Sequence, residues 1–240
     1  SGSLSVPEVL ASFDNGLVLF SAVDTSVSLL EALRNKGQSK FHVFDTVVAG
    51  LAALHESLPD VRPPDALPEL DVAALLCEIP SADIEVALSL IKGANAKNGV
   101  QYLREPLINY LQLNQLQYKA VLHGDLATGN VFISNKGEQP KLVLLDFEFA
   151  SVGDVRWDLA TLAVEHSLSW EEATYLITRY ANRLDFESQD SQQAFVDGFS
   201  NWVVAYWLVA LSWSIQNEQP IARYEQYQAV VDMIINQVVP

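Results

Sequence analysis

Three short apolar runs, Lys119–Leu122, Val131–Ser134 and Lys141–Asp146, lie close together in the middle of a chain whose other apolar residues mostly recur at helical spacing. Runs this short read as strands, not helices, and the polar turn Asn135-Lys136-Gly137-Glu138 joins the second to the third. A second hairpin is expected at Val6–Asp24, where two apolar runs flank Asp14-Asn15-Gly16, a strong two-strand turn signal. Helices are expected around these strands. Phe41, Phe44, Val47, Val48, Leu51 and Leu54 recur at spacings of three and four, which predicts an amphipathic helix over Phe41–Leu58, stopped by Pro59 and Pro63-Pro64. Asp71–Lys92, interrupted at Pro80, and Val100–Leu116 read as two more, with a turn region at Gly93–Gly99. Beyond Asp154 the pattern is helical over 155–167, 169–183, 188–217 and 220–237. The layout is α+β, mostly helical, without internal repeats or low-complexity stretches.

The tips of the central strands carry the chemistry. The first run feeds the loop His123-Gly124-Asp125-Leu126-Ala127-Thr128-Gly129-Asn130, the second leaves it, and the third ends in Asp146-Phe147-Glu148. Two strand ends thus bring three oxygen-bearing side chains to one edge. Magnesium is a hard cation that takes few protein oxygens together with substrate phosphates, and a carboxylate with a carboxamide suits it. The remaining acid, five residues before the carboxamide, is placed to accept a hydroxyl proton, the division of labour of kinase catalytic loops. Taken singly, Asp125 reads as a turn or cap residue; the joint order of Asp125, Asn130, Asp146 and Asp158, each at an element boundary, carries the functional reading. His123, just after a strand, reads as a loop-shaping residue that satisfies backbone groups. Glu148 fits either a water-mediated metal contact or a cap on the following turn.

His123-Gly124-Asp125-x4-Asn130 followed by Asp146-Phe147-Glu148 resembles the phosphotransfer motif of the aminoglycoside phosphotransferase and choline kinase superfamily. The resemblance extends over roughly residues 5–237 and implies a protein-kinase-like fold: a predominantly helical C-terminal lobe at 25–240 and, at 1–24, the remnant of a truncated nucleotide-binding β lobe. It implies Asp125 as catalytic base and Asn130 and Asp146 as Mg²⁺ ligands, with ATP as co-substrate. Gly153-Asp154-Val155-Arg156-Trp157-Asp158-Leu159-Ala160 is similar to the family's Asp-x-x-x-Asp-Leu-Ala helix start, which implies that Asp158, like His123, supports the catalytic loop.

The C-terminal half is similar to choline, ethanolamine and thiamine kinases. Glu165 lies seven residues after Asp158, two helical turns along the same face, where that group carries a substrate-facing Glu. Asn201–Gln216, with Trp202, Tyr206, Trp207 and Trp213, is similar to their Trp-rich helix, and Arg223-Tyr224-Glu225-Gln226-Tyr227 to the closing helix. Faces of Trp and Tyr hold quaternary ammonium groups at roughly 0.5–2 kcal/mol each. Glu165, Tyr206, Trp207 and Trp213 are therefore the expected contacts of a small cationic alcohol, with Trp213 the best candidate for a wall. The family places a second Trp one turn before Trp213; this chain has Ala210 there.

Charge and cysteine content narrow the classes further. The formal net charge is −16, which repels phosphate backbones and draws in cations, so no nucleic-acid partner is expected. Cys77 is the single cysteine, which excludes an intrachain disulfide and a multi-cysteine metal site and fits a reducing, cytoplasmic compartment. The longest apolar run, Trp202–Leu211, is about half of a membrane span, so none is expected. The chain opens at Ser1 without a secretory leader, and its only methionine is Met233, so an upstream segment is expected. That segment would hold the Gly-rich loop, the nucleotide Lys and its Glu partner, since no Lys precedes Lys36; this chain alone is expected to bind ATP weakly and turn over little. The alternatives are an aminoglycoside phosphotransferase and a non-catalytic, pseudokinase-like binding module.

Overall fold

The computed structural model describes residues 3–7, 9–12, 18–20, 27–35, 39–56, 67–89, 96–114, 117–136 and 138–219. In chain order the elements are β1 (Leu4–Ser5), β2 (Val9–Ser12), β3 (Val18–Phe20), β4 (Val27–Ser28), α1 (Leu29–Arg34), α2 (Lys40–His55), α3 (Val72–Glu78), α4 (Ser81–Ser89) and α5 (Ala96–Asn114). They continue with β5 (Lys119–Leu122), β6 (Val131–Ser134), β7 (Lys141–Leu144), β8 (Ser151–Asp154), α6 (Arg156–Glu165), α7 (Trp170–Ala181), α8 (Gln189–Asp197) and α9 (Phe199–Gln216). The α+β layout is as expected.

β6 and β7 form the expected antiparallel hairpin, with Val131 opposite Leu144 and Ser134 opposite Lys141. The sheet extends on both sides to the order β1-β7-β6-β4, with β1 parallel to β7. β5 joins neither. It pairs antiparallel with β8, Lys119 opposite Asp154 and Leu122 opposite Ser151, in a separate two-stranded ribbon. The sequence gives no warning of β8, because Ser151-Val152-Gly153-Asp154 lacks an apolar run and is held by its partner's backbone. β2 and β3 form the first hairpin; its turn residues 13–17 lie outside the described residues.

The helical half divides at the expected breaker and at one other. Pro80 separates α3 from α4, where its missing N–H disfavours a continuous helix. The expected helix 188–217 is two helices, α8 and α9, meeting at Gly198, where an added Cβ would collide with the Tyr110 hydroxyl of α5. α5 begins at Ala96, inside the expected turn region. The expected helix at 220–237, with Arg223–Tyr227, lies outside the described residues.

The core forms where α6 and α9 pack against each other and α9 packs against α3, α4 and α5. Every residue of α6 from Arg156 to Val164 is buried, and only Glu165 at its end is half-buried. Taken together, α8 and α9 are long and apolar enough to cross a membrane, but 67 % of their most apolar window is buried inside the molecule, the state of a core helix. Arg156 anchors the start of α6: its guanidinium donates to both Asp154 oxygens (2.8 and 2.7 Å) and to the Asn114 carbonyl (3.0 Å), among the rings of Tyr118, Phe195 and Trp202. This clamp ties β8, α5 and α6 together at the start of β5.

Candidate active site

The loop 123–130 leaves β5 and enters β6, and its shape is set by hydrogen bonds from outside it. Asp158, in the first turn of α6 and 0 % exposed, turns its carboxylate up into the loop. Its Oδ2 accepts the His123 N–H (2.8 Å) and its Oδ1 the Gly124 N–H (2.9 Å). Gly124 has φ +84° and no room for a Cβ beside the Phe149 carbonyl, so only glycine turns the chain here. The His123 ring lies 4.4 Å from the Phe147 ring. Its Nε2 donates to the Leu145 carbonyl (2.9 Å) and its Nδ1 accepts the Asp125 N–H (3.3 Å). Because a carbonyl only accepts, His123 carries its proton on Nε2. It thereby joins the tip of the β5 ribbon to the end of β7, and so Asp125 to the approach of Asp146.

Asp125 is half-buried. Asn130 Nδ2 donates to its carbonyl (3.0 Å) and to its Oδ2 (2.9 Å), and the Ala127 N–H donates to its carboxylate. Burial pushes the Asp125 carboxyl above the usual range; His123 opposes this, and the negative charge of nearby Asp146 reinforces it. A carboxylate so raised is a better proton acceptor near neutral pH. Asp146 is exposed and stands in the left-handed region (φ 63°), where Asp is tolerated better than most residues. Asp125, Asn130 and Asp146 are thus together.

Further along α6, Glu165 accepts a hydrogen bond from the Tyr206 hydroxyl of α9 (3.1 Å). Tyr206 itself is buried, edge-on to Trp157 at 5.2 Å. Trp213, two turns beyond Tyr206 on the same face of α9, is 56 % exposed. Trp207, expected to touch a ligand, is 1 % exposed and sits in the core with Trp202. Phe149, also well exposed, stands beside Gly124.

Residues 2–190 match the pattern of the phosphotransferase enzyme family. The chain belongs to that family. Its fold is kinase-like, with a helical C-terminal lobe and a short N-terminal sheet region. It is similar to choline kinase LicA from Streptococcus pneumoniae (TM-score 0.56, 19% identity, 94% of this chain and 73% of that one). It is likewise similar to an ethanolamine kinase of Plasmodium vivax (0.60, 15%, 98% and 69%). A third likeness is to the GDP complex of wild-type aminoglycoside 2'-phosphotransferase-IIIa (0.63, 12%, 98% and 77%). No curated protein sequence matches it significantly.

For this phosphotransferase the sequence motif missed the residues that brace the loop from behind. His55 of α2 donates through Nε2 to Asp158 Oδ2 (3.1 Å) and accepts the Tyr180 hydroxyl on Nδ1 (2.6 Å). Burial, and then the Asp158 charge, push the Tyr180 phenol far above its usual range, so it stays a donor. The signal for His55 was present: it lies four residues after Leu51 on the buried face of α2, a polar side chain at a core position. Among the described residues no three His, Cys, Asp or Glu side chains converge as a metal cage. The donor set at the loop fits a magnesium ion shared with phosphates instead. The Asn130 amide must face Asp125 with its NH₂, which turns its oxygen the other way, and Asp146 adds a carboxylate of the same hard character.

Proposed function

We propose that this chain carries the catalytic loop and acceptor site of a kinase that transfers the γ-phosphoryl group of ATP to the hydroxyl of a small cationic amino alcohol such as choline, ethanolamine or thiamine, with weak turnover by this chain alone. The observation that carries the reading is the Asp125 carboxylate, raised by burial, gripped by Asn130 and close to Asp146. Asp125 accepts the proton of the alcohol as the alcohol oxygen attacks the γ-phosphorus; the bond to the bridging oxygen breaks and ADP leaves. Asn130 and Asp146 would hold a magnesium ion, which when bound neutralises charge on the transferring phosphoryl group. Asp158 and His123 keep the loop in place, and Asn130 Nδ2 restricts Asp125 to one rotamer.

On the acceptor side, Glu165 pairs with the ammonium group, and Tyr206 holds that carboxylate in position. Trp213 offers an exposed indole face, and Trp207 backs α9 from within. The structurally similar choline and ethanolamine kinases support this acceptor class, as does the net charge of −16. The similar aminoglycoside enzyme makes polycationic antibiotics the competing acceptors. The decisive experiment supplies ATP or GTP with Mg²⁺ and follows phosphorylation of choline, ethanolamine, thiamine and aminoglycosides by ³¹P NMR, beside calorimetric titration of each acceptor. Phosphorylated amino alcohol, lost in Asp125→Asn, is the expected result. Turnover of aminoglycosides alone would replace the acceptor assignment, and neither turnover nor binding across the panel would remove the reading.

A further inference from the structure

We propose that His166 is a positioning residue for the phosphoryl-transfer loop: its imidazole grips the Leu126–Ala127 peptide and so aims that peptide's N–H at the Asp125 carboxylate. The inference rests on the reading of Asp125 as the base. His166 caps α6 and is 3 % exposed. Its Nε2 lies 3.2 Å from the Leu126 carbonyl, which only accepts, so Nε2 carries the proton. The same peptide unit donates its other polar group, the Ala127 N–H, to Asp125. One peptide plane therefore stands between His166 and the proton acceptor, and fixing its oxygen fixes the direction of its N–H.

The ring is aimed by the end of its helix. Ser167 adopts φ 55°, the Ser167 N–H bonds the Val164 carbonyl (3.1 Å) and the Leu168 N–H bonds the Ala163 carbonyl (3.0 Å), the paired closure of a Schellman end. A histidine here also carries a burden that an aliphatic residue would not. Among the described residues its buried Nδ1 has no hydrogen-bond partner, and burial pushes the ring's pKa down to about 4, leaving it neutral at pH 7. What the ring supplies in return is the N–H to Leu126. Glu165, the preceding residue, holds the Tyr206 hydroxyl, so one helix end reaches both the loop and the acceptor side.

The test compares His166→Leu, which removes the donor, with His166→Gln, which keeps an N–H at similar reach. In the full chain, His166→Leu is expected to lower kcat about tenfold with the acceptor KM within about twofold, and His166→Gln to recover most of the loss. Amide exchange at Ala127 supplies a second reading that needs no turnover: protected in the parent and in His166→Gln, faster in His166→Leu. Unchanged kcat or unchanged Ala127 protection in His166→Leu overturns the proposal. So does ¹⁵N NMR placing the ring proton on Nδ1 in the parent chain, a measurement independent of whether the variants fold. If the parent phosphorylates no acceptor, the proposed function fails and Ala127 exchange still decides the role of His166.

Discussion

The two ends of α6 are built differently. At the first turn, the fully buried Asp158 carboxylate accepts three N–H groups, from His123, Gly124 and His55. At the last turn, Glu165 is half-buried and meets the hydroxyl of Tyr206, while Trp213 lies exposed two turns further along α9. Many bonds to one buried group leave the loop one conformation, which in-line phosphoryl transfer requires. A carboxylate at a half-open edge can follow acceptors of different shape. In the proposed reaction the helix thus separates a fixed chemical end from an adaptable recognition end.

Substitutions at the fixed end should produce the largest effects and should split into two kinds. Asp125→Asn is expected to lower kcat by about 10²–10⁴-fold, the range for a lost general base. Its stability should be unchanged or slightly raised, because burial already opposes the charged form of Asp125. Asp158→Ala should do the reverse in kind, leaving three buried donors unpaired at about 3–5 kcal/mol, read by urea denaturation. If Asp125→Asn unfolds the chain or Asp158→Ala leaves its stability intact, the division between chemistry and support is wrong.

The same division explains what the sequence makes legible. Asp125, Asn130 and Asp146 stand in one compact motif: the short loop 123–130 holds Asp125 to Asn130 at the start of β6, and the β6–β7 hairpin returns Leu145, just before Asp146, to the Asn130 carbonyl. The hairpin β6–β7 and the break at Pro80 were equally local. β8 was not visible, since its pairing with β5 depends on a partner far along the chain, as Lys119 opposite Asp154 shows. The split at Gly198 follows from the approach of Tyr110 of α5, a tertiary contact. His166 bonds the loop directly, while Tyr180 and His55 act on it through Asp158, and the three come from different helices, so no motif unites them. Trp207 and Trp213 read alike in an aromatic stripe, and only packing separates the buried one from the exposed one.

Trp207→Ala offers a sharp form of that last contrast. Removal of a fully buried indole should destabilise the chain by about 3–5 kcal/mol. The acceptor KM of the fraction that folds should move little, since the ring touches no solvent-facing surface. A large KM change at unchanged stability would mean that the core of α9 opens onto the acceptor.

Acidification probes the last turn of α6 and its hold on the loop more gently. His166 has a pKa of about 4 in the folded chain against an ordinary 6.5, so the unfolded chain takes up the proton first as pH falls. Stability from this group is complete above about pH 7 and drains as pH drops through 6.5 toward 4. Between pH 7.5 and pH 5 the loss is about 2 kcal/mol. Unfolding free energies from urea denaturation should fall by this much more in the parent than in His166→Gln across that window. Parallel curves would mean that His166 is already protonated or solvent-accessible.

Trp213→Ala is the smallest effect and the one that most directly tests adaptability. With more than half of the indole in solvent, its removal should change stability by less than about 0.5 kcal/mol. A cation–π face lost from a partly open site weakens a quaternary ammonium by about 0.5–2 kcal/mol. The acceptor KM should therefore rise roughly 2- to 30-fold for choline at constant kcat. Primary amines such as ethanolamine, which Glu165 can hold by direct hydrogen bonding, should suffer less. An equal loss for both acceptors would point to Trp213 shaping the site instead of facing the cation, and no loss for either would confine recognition to Glu165 and its Tyr206 support.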